Sequence, residues 1–376
     1  MSGAGLVARP VKAERQRLML SPAYELAVIG STPLAGLLAG LLAAEHGKRV
    51  VLVSEGSGLF RLVQGIDLAA AITTRPESWA RLIAGSIETR KLVRRIAGRG
   101  ALQRIDPVFV GETAASRTAL SHMRHVALGF GLAVERREGL AGGESATFRL
   151  RDVALIDRQR LAEGLAKWHA KAGVLRLDAG GTNAVISRDG SARFHANGQV
   201  IEAAHAILAD DAAIAAQMEE AGDDPVLELL PTSAMATEPA RRLAAPALSY
   251  PDRGVTLLRR EGGSLLALAT GRAETAAARV GSCLTGQRPL KRVGQRLFRA
   301  VVSRDGAPLV EIRPGERVSV MAGFGPPAAF FAPALARLVV GAASIEETAY
   351  FMARRADADR RQVADYVPCP AAEEAA

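Results

Sequence analysis

The stretch that decides the fold is YELAVIGSTPLAGLLAGLLAAEHGKRVVLVSE, residues 24–55. The apolar run from Tyr24 to Ile29 predicts a buried strand, and the Leu- and Ala-rich run from Leu34 to His46 predicts a buried helix. A second apolar run, Arg49 to Val53, predicts a parallel strand that closes on Glu55. This strand–turn–helix–strand unit of about thirty residues is typical of the first half of a doubly wound α/β sheet.

The turn between this first strand and the helix has the spacing of a dinucleotide-binding turn. A helix that begins there points backbone N–H groups at a pyrophosphate, and an acid after the second strand accepts hydrogen bonds from a ribose. Gly30 supplies the first glycine and Ala35 the third small residue, while Thr32 stands at the place of the second glycine. The turn predicts nucleotide binding, and the alternative is a unit kept for packing alone. The residues assigned to this turn and acid are Gly30, Ser31, Thr32, Pro33, Leu34, Ala35, Glu55 and Gly56.

A second segment runs from a helix capped by Asp157, through short strands and a hairpin turn, to a strand that ends Ala209-Asp210-Asp211. Two carboxylates beside a diphosphate would repel it unless they point away. Three interpretations stay open for Asp210 and Asp211: a general acid–base pair, helix N-caps, or surface acids.

A third segment, near the carboxyl end, combines a strand, a glycine-containing turn and a helix. The strand Val318 to Met321 leads into Ala322-Gly323-Phe324-Gly325, and Pro333 lies near the first turn of the helix that follows. Because the N-terminus of a helix carries partial positive charge, this segment predicts a helix end aimed at a ligand.

Together these features resemble the FAD-dependent D-amino-acid oxidase and glycine oxidase superfamily, over Ala23 to about Arg355. The resemblance rests on the Gly30…Glu55 unit, the Asp305-Gly306-Ala307-Pro308-Leu309 turn and the Gly323 segment. It implies an α/β fold with a Rossmann-type FAD-binding domain and an interleaved β-rich substrate domain. It also implies FAD as cofactor and hydride transfer from a substrate C–H to flavin N5. The further flavin-site residues assigned on this resemblance are Gln64, Asn183, Ala209, Gly323, Phe324, Gly325 and Ala328.

The substrate side of the site departs from that family. Such oxidases often place an Arg after the last strand to pair with a substrate carboxylate, and Pro326 falls near that place, with Arg299 and Arg304 as possible substitutes. The sequence names no general base. We therefore expect an oxidoreductase for a small amine or amino-acid-like substrate. The alternatives are a non-catalytic relative acting in binding or assembly, which would have a protein partner, and an RNA-modifying flavoprotein suggested only by charge.

Composition narrows the remaining classes. The net charge is +9, from 48 basic and 39 acidic residues, but no five basic residues are consecutive, so the pattern indicates a solvated Arg-rich surface and does not favour a nucleic-acid partner. Cys283 and Cys369 match no metal or redox spacing, and unpaired thiols favour a reducing, cytoplasmic location. His122 and His125 share a helix face, but no further metal ligand is evident. No apolar run is long enough to span a membrane.

The predicted domain organisation is interleaved. Residues 1–22 and 357–376 are expected to be tails, with 1–22 disordered. The FAD-binding domain is predicted in three parts, 23–110, 151–225 and 301–356. Residues 111–150 are predicted as a substrate domain or insertion, and 226–300 as the β-rich substrate domain.

Overall fold

The computed structural model describes residues 23–55, 74–137, 145–221, 226–239, 243–284 and 291–360. The strands are β1 Tyr24–Ile29, β2 Val50–Ser54, β3 Leu102–Ile105, β4 Val108–Gly111, β5 Val134–Arg137, β6 Ala146–Leu150, β7 Val153–Ile156, β8 Leu175–Asp178, β9 Thr182–Ile186, β10 Ala192–Ala196, β11 Gln199–Leu208, β12 Leu227–Thr237, β13 Ala247–Tyr250, β14 Val255–Arg259, β15 Leu265–Thr270, β16 Arg292–Ser303, β17 Leu309–Glu311 and β18 Ser319–Ala322. The α-helices are α1 Pro33–Ala44, α2 Trp79–Ala97, α3 Ala114–Gly129, α4 Arg158–Ala172, α5 Asp211–Ala221, α6 Ala273–Cys283, α7 Ala332–Val339 and α8 Ile345–Met352.

The first sheet is built around β1. Its strand order is β17-β18-β11-β1-β2-β8, and β1 runs parallel to both β11 and β2, with Ala27 opposite Ala206 and Val51. A central parallel strand is covered on both faces, which explains its unbroken apolar run. Strands β9 and β10 extend β11 as an antiparallel meander. The predicted strand–turn–helix–strand unit is confirmed.

Helix α1 is packed closely against α4. Residues 33–43 of α1 are all buried. A Cβ added at Gly36 would lie 2.7 Å from Cδ1 of Leu165, and one at Gly40 would lie 2.1 Å from the Trp168 ring. The imidazole Nε2 of His169 is hydrogen-bonded to the Gly36 carbonyl at 2.8 Å, and burial lowers the pKa of this imidazole. The glycines of α1 therefore allow the side chains of α4 to pack directly against the backbone of α1.

The second sheet is mostly antiparallel, with strand order β16-β12-β15-β14-β13-β4-β6-β5. Strands β4, β5 and β6 come from the middle of the chain and the others from its second half, so the two sheets are interleaved in sequence. The predicted fold class, an α/β domain with an interleaved β-rich domain, is confirmed. The predicted boundaries at 110 and 300 fall inside β4 and β16, which both pair in the second sheet.

Helix α2 agrees with its predicted inner face in part. The helical spacing from Trp79 to Ile96 predicts an inner face of Trp79, Leu82, Ile83, Ile87 and Val93. Trp79, Leu82 and Val93 are buried, whereas Ile87 is 53% exposed. The buried face also contains Gly85, Ser86 and Thr89, because α2 lies directly on the backbone of the turn that precedes α7. Small residues allow helix and backbone to approach this closely. An amphipathic pattern, which is recognised by its large apolar residues, does not reveal such a contact.

None of the described helices combines the length and the apolar character that a membrane span requires.

Candidate functional site

The glycine turn after β1 packs directly against the end of β11. A Cβ at Gly30 would lie 2.7 Å from Cβ of Asp210 and 3.2 Å from the carbonyl carbon of Ala209, so no side chain fits at this position. The Thr32 hydroxyl donates to the Ala209 carbonyl and accepts from the Ala35 N–H, both at 3.2 Å. Thr32 is thus the N-cap of α1, and its hydroxyl is directed into the protein.

The Asp210 carboxylate is hydrogen-bonded to the glycine turn after β1. Its Oδ2 accepts a hydrogen bond from the Ser31 N–H at 2.7 Å, and its Oδ1 accepts one from the Ala212 N–H at 2.7 Å in the first turn of α5. The residue is only 4% exposed. The interpretation of Asp210 as a helix-capping acid is confirmed. The same carboxylate also accepts the hydrogen bond of the Ser31 N–H, the first backbone amide after Gly30.

A half-buried cation lies within electrostatic range of the Asp210 carboxylate. Arg158, the first residue of α4, has its pKa lowered to about 10 by burial, and the charge of Asp210 opposes that change. A pKa of that size leaves the guanidinium protonated at neutral pH. The dinucleotide turn therefore lies beside a negative and a positive side chain of the protein itself.

Glu55 lies where the sequence predicts the ribose acid. Its N–H donates to the Ser31 hydroxyl at 2.8 Å, which ties the end of β2 to the glycine turn. Its carboxylate lies 3.6 Å from the Arg296 guanidinium of β16. Sequence reasoning missed this cross-sheet partner. Gly56 and Gln64 lie outside the described residues.

The glycine turn after β18 lies beside the end of β11, because these two strands pair in parallel. Gly323 and Gly325 have φ angles of 70° and 59°, which favour glycine, and the chain then enters a 3-10 turn at Ala328–Phe331 before α7. Gly323, Phe324, Gly325 and Ala328 all line one large cavity, and so does Pro326.

That cavity has a volume of about 840 Å³ and lies between the two sheets. Its walls come from the start of α1, the end of β11, the Gly323 turn and the inner strands of the second sheet. Its volume is in the range of sites that hold small molecules and cofactors. Its polar lining includes the hydroxyl side chains Thr232, Ser249, Thr256, Thr270 and Ser303.

Ser303 is the hydroxyl nearest the glycine turn. Its Oγ would lie 3.4 Å from a Cβ at Gly323, and it is buried without a hydrogen-bond partner among the described residues. Buried hydroxyls usually have a partner, so this one marks a place where a ligand atom would be favourable.

The charged side chains of the cavity differ in their pairing. Arg75 is 6% exposed and donates to the Asp305 carbonyl at 3.0 Å, and Arg360 donates to the Asp305 carboxylate at 2.7 Å, so the Asp305-Gly306 turn is held by two arginines. Glu228 of β12 is half-buried in the cavity wall and has no hydrogen bond or ion pair with any described residue. Arg304 lies exposed at the edge of the cavity.

Sequence reasoning missed Glu228. The available signal was a single acid in an otherwise apolar strand, Leu227-Glu228-Leu229-Leu230. Side chains alternate along a strand, so Glu228, Leu230 and Thr232 share the face that lines the cavity.

Other singled-out residues lie elsewhere. Asn183 is exposed on β9, opposite His195, and is outside the cavity lining that the described residues form. Arg299 is paired with Glu219 and lines a smaller pocket that also contains Thr32 and Asp210. His122 and His125 lie on α3, and no group of three metal-ligating side chains occurs within the described ranges.

Cys283 carries a free thiol whose pKa is raised to about 11, mainly by burial, so it is not a reactive thiolate at neutral pH. Cys369 lies outside the described residues.

Comparisons with known proteins give matches of structure. No family model and no curated protein matches the chain. The structure is similar to L-proline dehydrogenase from P. horikoshii, with a TM-score of 0.68, 16% identity, and coverage of 87% of this chain and 96% of that one. It is similar to the open form of NikD, described as an unusual amino acid oxidase, with a TM-score of 0.67 and 16% identity over 91% of this chain and 100% of that one. For glycine oxidase from Geobacillus kaustophilus the TM-score is 0.64 at 16% identity, over 93% and 100% of the two chains. The chain therefore has the fold of these amino acid dehydrogenases and oxidases, as the resemblance in its sequence predicted.

Proposed function

We propose that this chain is an FAD-dependent oxidoreductase that oxidises a small amine or amino-acid-like substrate. The observation that carries the proposal is the cavity of about 840 Å³ between the two sheets, at the carboxyl ends of β1 and β11. In doubly wound folds, ligands bind at this edge of the sheet. The fold shared with L-proline dehydrogenase and glycine oxidase supports the same class of chemistry.

The end of the cavity beside Gly323 fits an isoalloxazine ring. Its walls are apolar at Phe324 and Phe331, and the Ser303 hydroxyl, which has no partner among the described residues, could bond a polar edge of the ring. The 3-10 turn and α7 add the partial positive charge of a helix start. When bound, FAD would supply an acceptor for a hydride from the substrate.

The dinucleotide end fits less well. The Ser31 N–H is bonded to Asp210 and the Ala35 N–H to Thr32, so neither faces an open phosphate site. The two ends of one cofactor would thus meet different environments. The ring would enter an open cavity, whereas the phosphates would meet a turn whose backbone N–H groups are already hydrogen-bonded to side chains of this protein.

Glu228 is the residue we assign to recognition of the substrate amine. It is the lining carboxylate without a described partner, whereas Asp252 accepts hydrogen bonds from the Glu112 N–H and the Ser116 hydroxyl, both at 2.7 Å. A half-buried carboxylate favours a cationic partner. It would hold the ammonium group of a substrate against the wall of the second sheet.

Glu228→Gln is expected to raise KM for an amine substrate by about tenfold or more, with kcat changed less than about threefold, because a charge-assisted hydrogen bond contributes roughly 1.5–3 kcal/mol. Steady-state kinetics would measure both constants. Glu238→Gln is the matched control, since Glu238 lies just beyond the other end of β12 and pairs with Lys291 on the surface. Equal KM values for the two variants would contradict the role of Glu228.

A visible absorption spectrum tests the function itself. The full chain, purified and then incubated with FAD, is expected to retain flavin absorbance after desalting, and an amine or amino acid substrate is expected to bleach it without oxygen. A protein that stays colourless with added FAD would contradict the proposal.

The occupied Ser31 amide favours a second candidate, a non-catalytic relative that keeps the fold and acts in binding or assembly with a protein partner. For such a protein, neither FAD nor riboflavin is expected to change the spectrum or the melting temperature, and the bleaching assay is expected to give no signal.

A further inference from the structure

We propose that Asp210 is an internal anion in the place of the cofactor's pyrophosphate, and that it makes this chain discriminate against dinucleotides relative to flavins without phosphate groups. The inference rests on the proposed flavin site and deepens it, because it names the residue that sets cofactor selectivity. The sequence indicates that a carboxylate here would repel a diphosphate unless it points away, and the structure directs the Asp210 carboxylate at the turn.

Geometry is the first support. In this type of fold the backbone amides after the first glycine are the pyrophosphate ligands. Here Asp210 Oδ2 lies 2.7 Å from the Ser31 nitrogen, and the space above Gly30 is closed by Asp210 Cβ at 2.7 Å from an ideal Cβ. The carboxylate is 4% exposed, so it is built into the turn and does not lie on the surface.

The second oxygen holds the carboxylate in that position. Asp210 Oδ1 accepts from the Ala212 N–H at 2.7 Å, which makes the acid a cap for α5 as well as a ligand for the glycine turn. Two backbone N–H groups on one carboxylate fix its orientation at the turn. A pyrophosphate would have to displace it from Ser31 or bind with one amide fewer.

Charge at the turn is the third point. Arg158 lies within electrostatic range of Asp210, and Asp210 and Asp211 line a smaller pocket together with Arg296 and Arg299. A pyrophosphate adds negative charge a few ångströms from a buried carboxylate, and like charges at that distance in a partly dry site repel strongly. Asp210→Ala would leave Arg158 and two freed amides for an incoming phosphate.

The ring end of the site does not share this obstacle. The cavity extends from the glycine turn onto the inner strands of the second sheet, where its lining includes Leu230, Thr232 and Leu268. Asp210 is hydrogen-bonded to the glycine turn itself. Riboflavin, which has the ring but no phosphate, can occupy the cavity without a group at Ser31. A change in the ratio of the riboflavin and FAD dissociation constants on substitution of Asp210 therefore reports on the phosphate end of the site.

Flavin binding by the full chain is the first test. Quenching of flavin fluorescence would give dissociation constants for FAD and for riboflavin with the native chain, Asp210→Ala, Asp210→Asn and Asp211→Asn. We expect Asp210→Ala to bind FAD about tenfold more tightly or better, while riboflavin affinity changes less than about twofold. Asp210→Asn keeps an acceptor for Ser31 and loses the charge, so an intermediate gain is expected even if the alanine variant folds poorly.

Asp211→Asn is the matched control, because it removes the next carboxylate along the chain, at the first position of α5, and keeps the Asp210 oxygen that accepts from the Ser31 N–H. Its FAD affinity is expected to stay within about threefold of the native value, since Asp211 is only half-buried and its charge is screened by water. An equal gain from Asp211→Asn and Asp210→Asn, or no gain from either Asp210 variant, would overturn the proposal.

A thermal-shift assay with inorganic pyrophosphate separates this inference from the proposed function. We expect pyrophosphate to raise the melting temperature of Asp210→Ala by about 2 °C or more and to leave the native chain unchanged. That result with no amine-dependent bleaching would support the inference and contradict the oxidoreductase. Tight FAD binding and turnover in the native chain, with no effect of Asp210 in either assay, would support the oxidoreductase and overturn the inference.

Discussion

Gly85→Ala is expected to lower the free energy of unfolding by about 2–3 kcal/mol, since overpacking of a well-packed contact typically costs 1–3 kcal/mol. A Cβ at Gly85 would lie 2.2 Å from the carbonyl oxygen of Phe330, and that neighbour is backbone, which cannot rotate away. Either α2 or the turn Ala328–Phe331 must shift. Urea denaturation followed by circular dichroism would measure the loss.

The same substitution is expected to weaken flavin binding, because Ala328 and Phe331 of that turn line the cavity. Gly281→Ala is the matched control. Gly281 lies in α6 and its added Cβ would meet nothing within 4 Å, so the change should be neutral or stabilise the helix by up to about 1 kcal/mol. Similar unfolding free energies for the two variants would contradict the close contact between α2 and the turn.

The α2 contact also shows where sequence patterns stop being informative. The predicted helix, residues 79–96, agrees with α2 to within one residue, because helix length and period are local properties. The predicted inner residue Ile87 is wrong, because the buried face is chosen by what packs on it. Phe330, which packs on this face, is about 240 residues from α2 in the sequence. A helix that packs on backbone needs a glycine at the contact, where an amphipathic pattern predicts a large side chain.

The first sheet was predictable for a physical reason. Strand β1 is covered on both faces, so its whole length is apolar and its bounds, Tyr24–Ile29, could be taken from the sequence. The antiparallel strands of the second sheet carry weaker patterns, and the apolar run in the sequence predicts only residues 298–303 of β16, which begins at Arg292. Their order in the sheet depends on long-range pairing, which no local pattern contains.

The candidate site was predictable as a location and not as a set of contacts. The sequence placed the glycine turn, Glu55 and the Gly323 segment, because each follows a strand at the same edge of the sheet. It left the direction of Asp210 open. That direction depends on where α5 begins, and the structure starts the helix at Asp211 so that Asp210 caps it. The partner of Glu55, Arg296, lies on the other sheet and had no sequence signal.

Glu347→Gln is expected to destabilise the chain by about 2–3 kcal/mol at pH 7, because loss of one charge from a buried ion pair typically costs 3–5 kcal/mol and Arg337 keeps part of its hydration. The Glu347 side chain is 4% exposed and that of Arg337 is 30% exposed. Arg337 donates from Nε at 3.0 Å and from Nη2 at 2.5 Å, and the Arg81 guanidinium lies 3.3 Å away. This cluster joins α2, α7 and α8 behind the cavity wall, and urea denaturation would measure its loss.

Acid should remove the difference between Glu347→Gln and the native chain. The hydrogen bond from Arg337 lowers the pKa of Glu347, with further help from the Ser344 N–H. A carboxyl whose folded pKa lies below its unfolded value of roughly 4.3 contributes its full stabilisation above that value and loses it as the pH falls through the folded pKa. The gap between the two unfolding free energies should therefore be constant from pH 8 to about pH 5 and shrink below it.

The neighbouring acid provides the control for this pH profile. Glu346 is exposed, accepts a hydrogen bond from the Ser344 hydroxyl and precedes Glu347 in the first turn of α8. Its substitution by Gln should change stability by less than about 0.5 kcal/mol, because exposed interactions are largely screened. If the two Gln variants lose equal stability, or if the Glu347→Gln gap widens in acid, the buried pair does not hold α7 and α8 to α2.

Since α7 begins directly after the turn that lines the cavity, loss of the ion pair should also weaken riboflavin binding. Glu346→Gln should bind riboflavin as the native chain does.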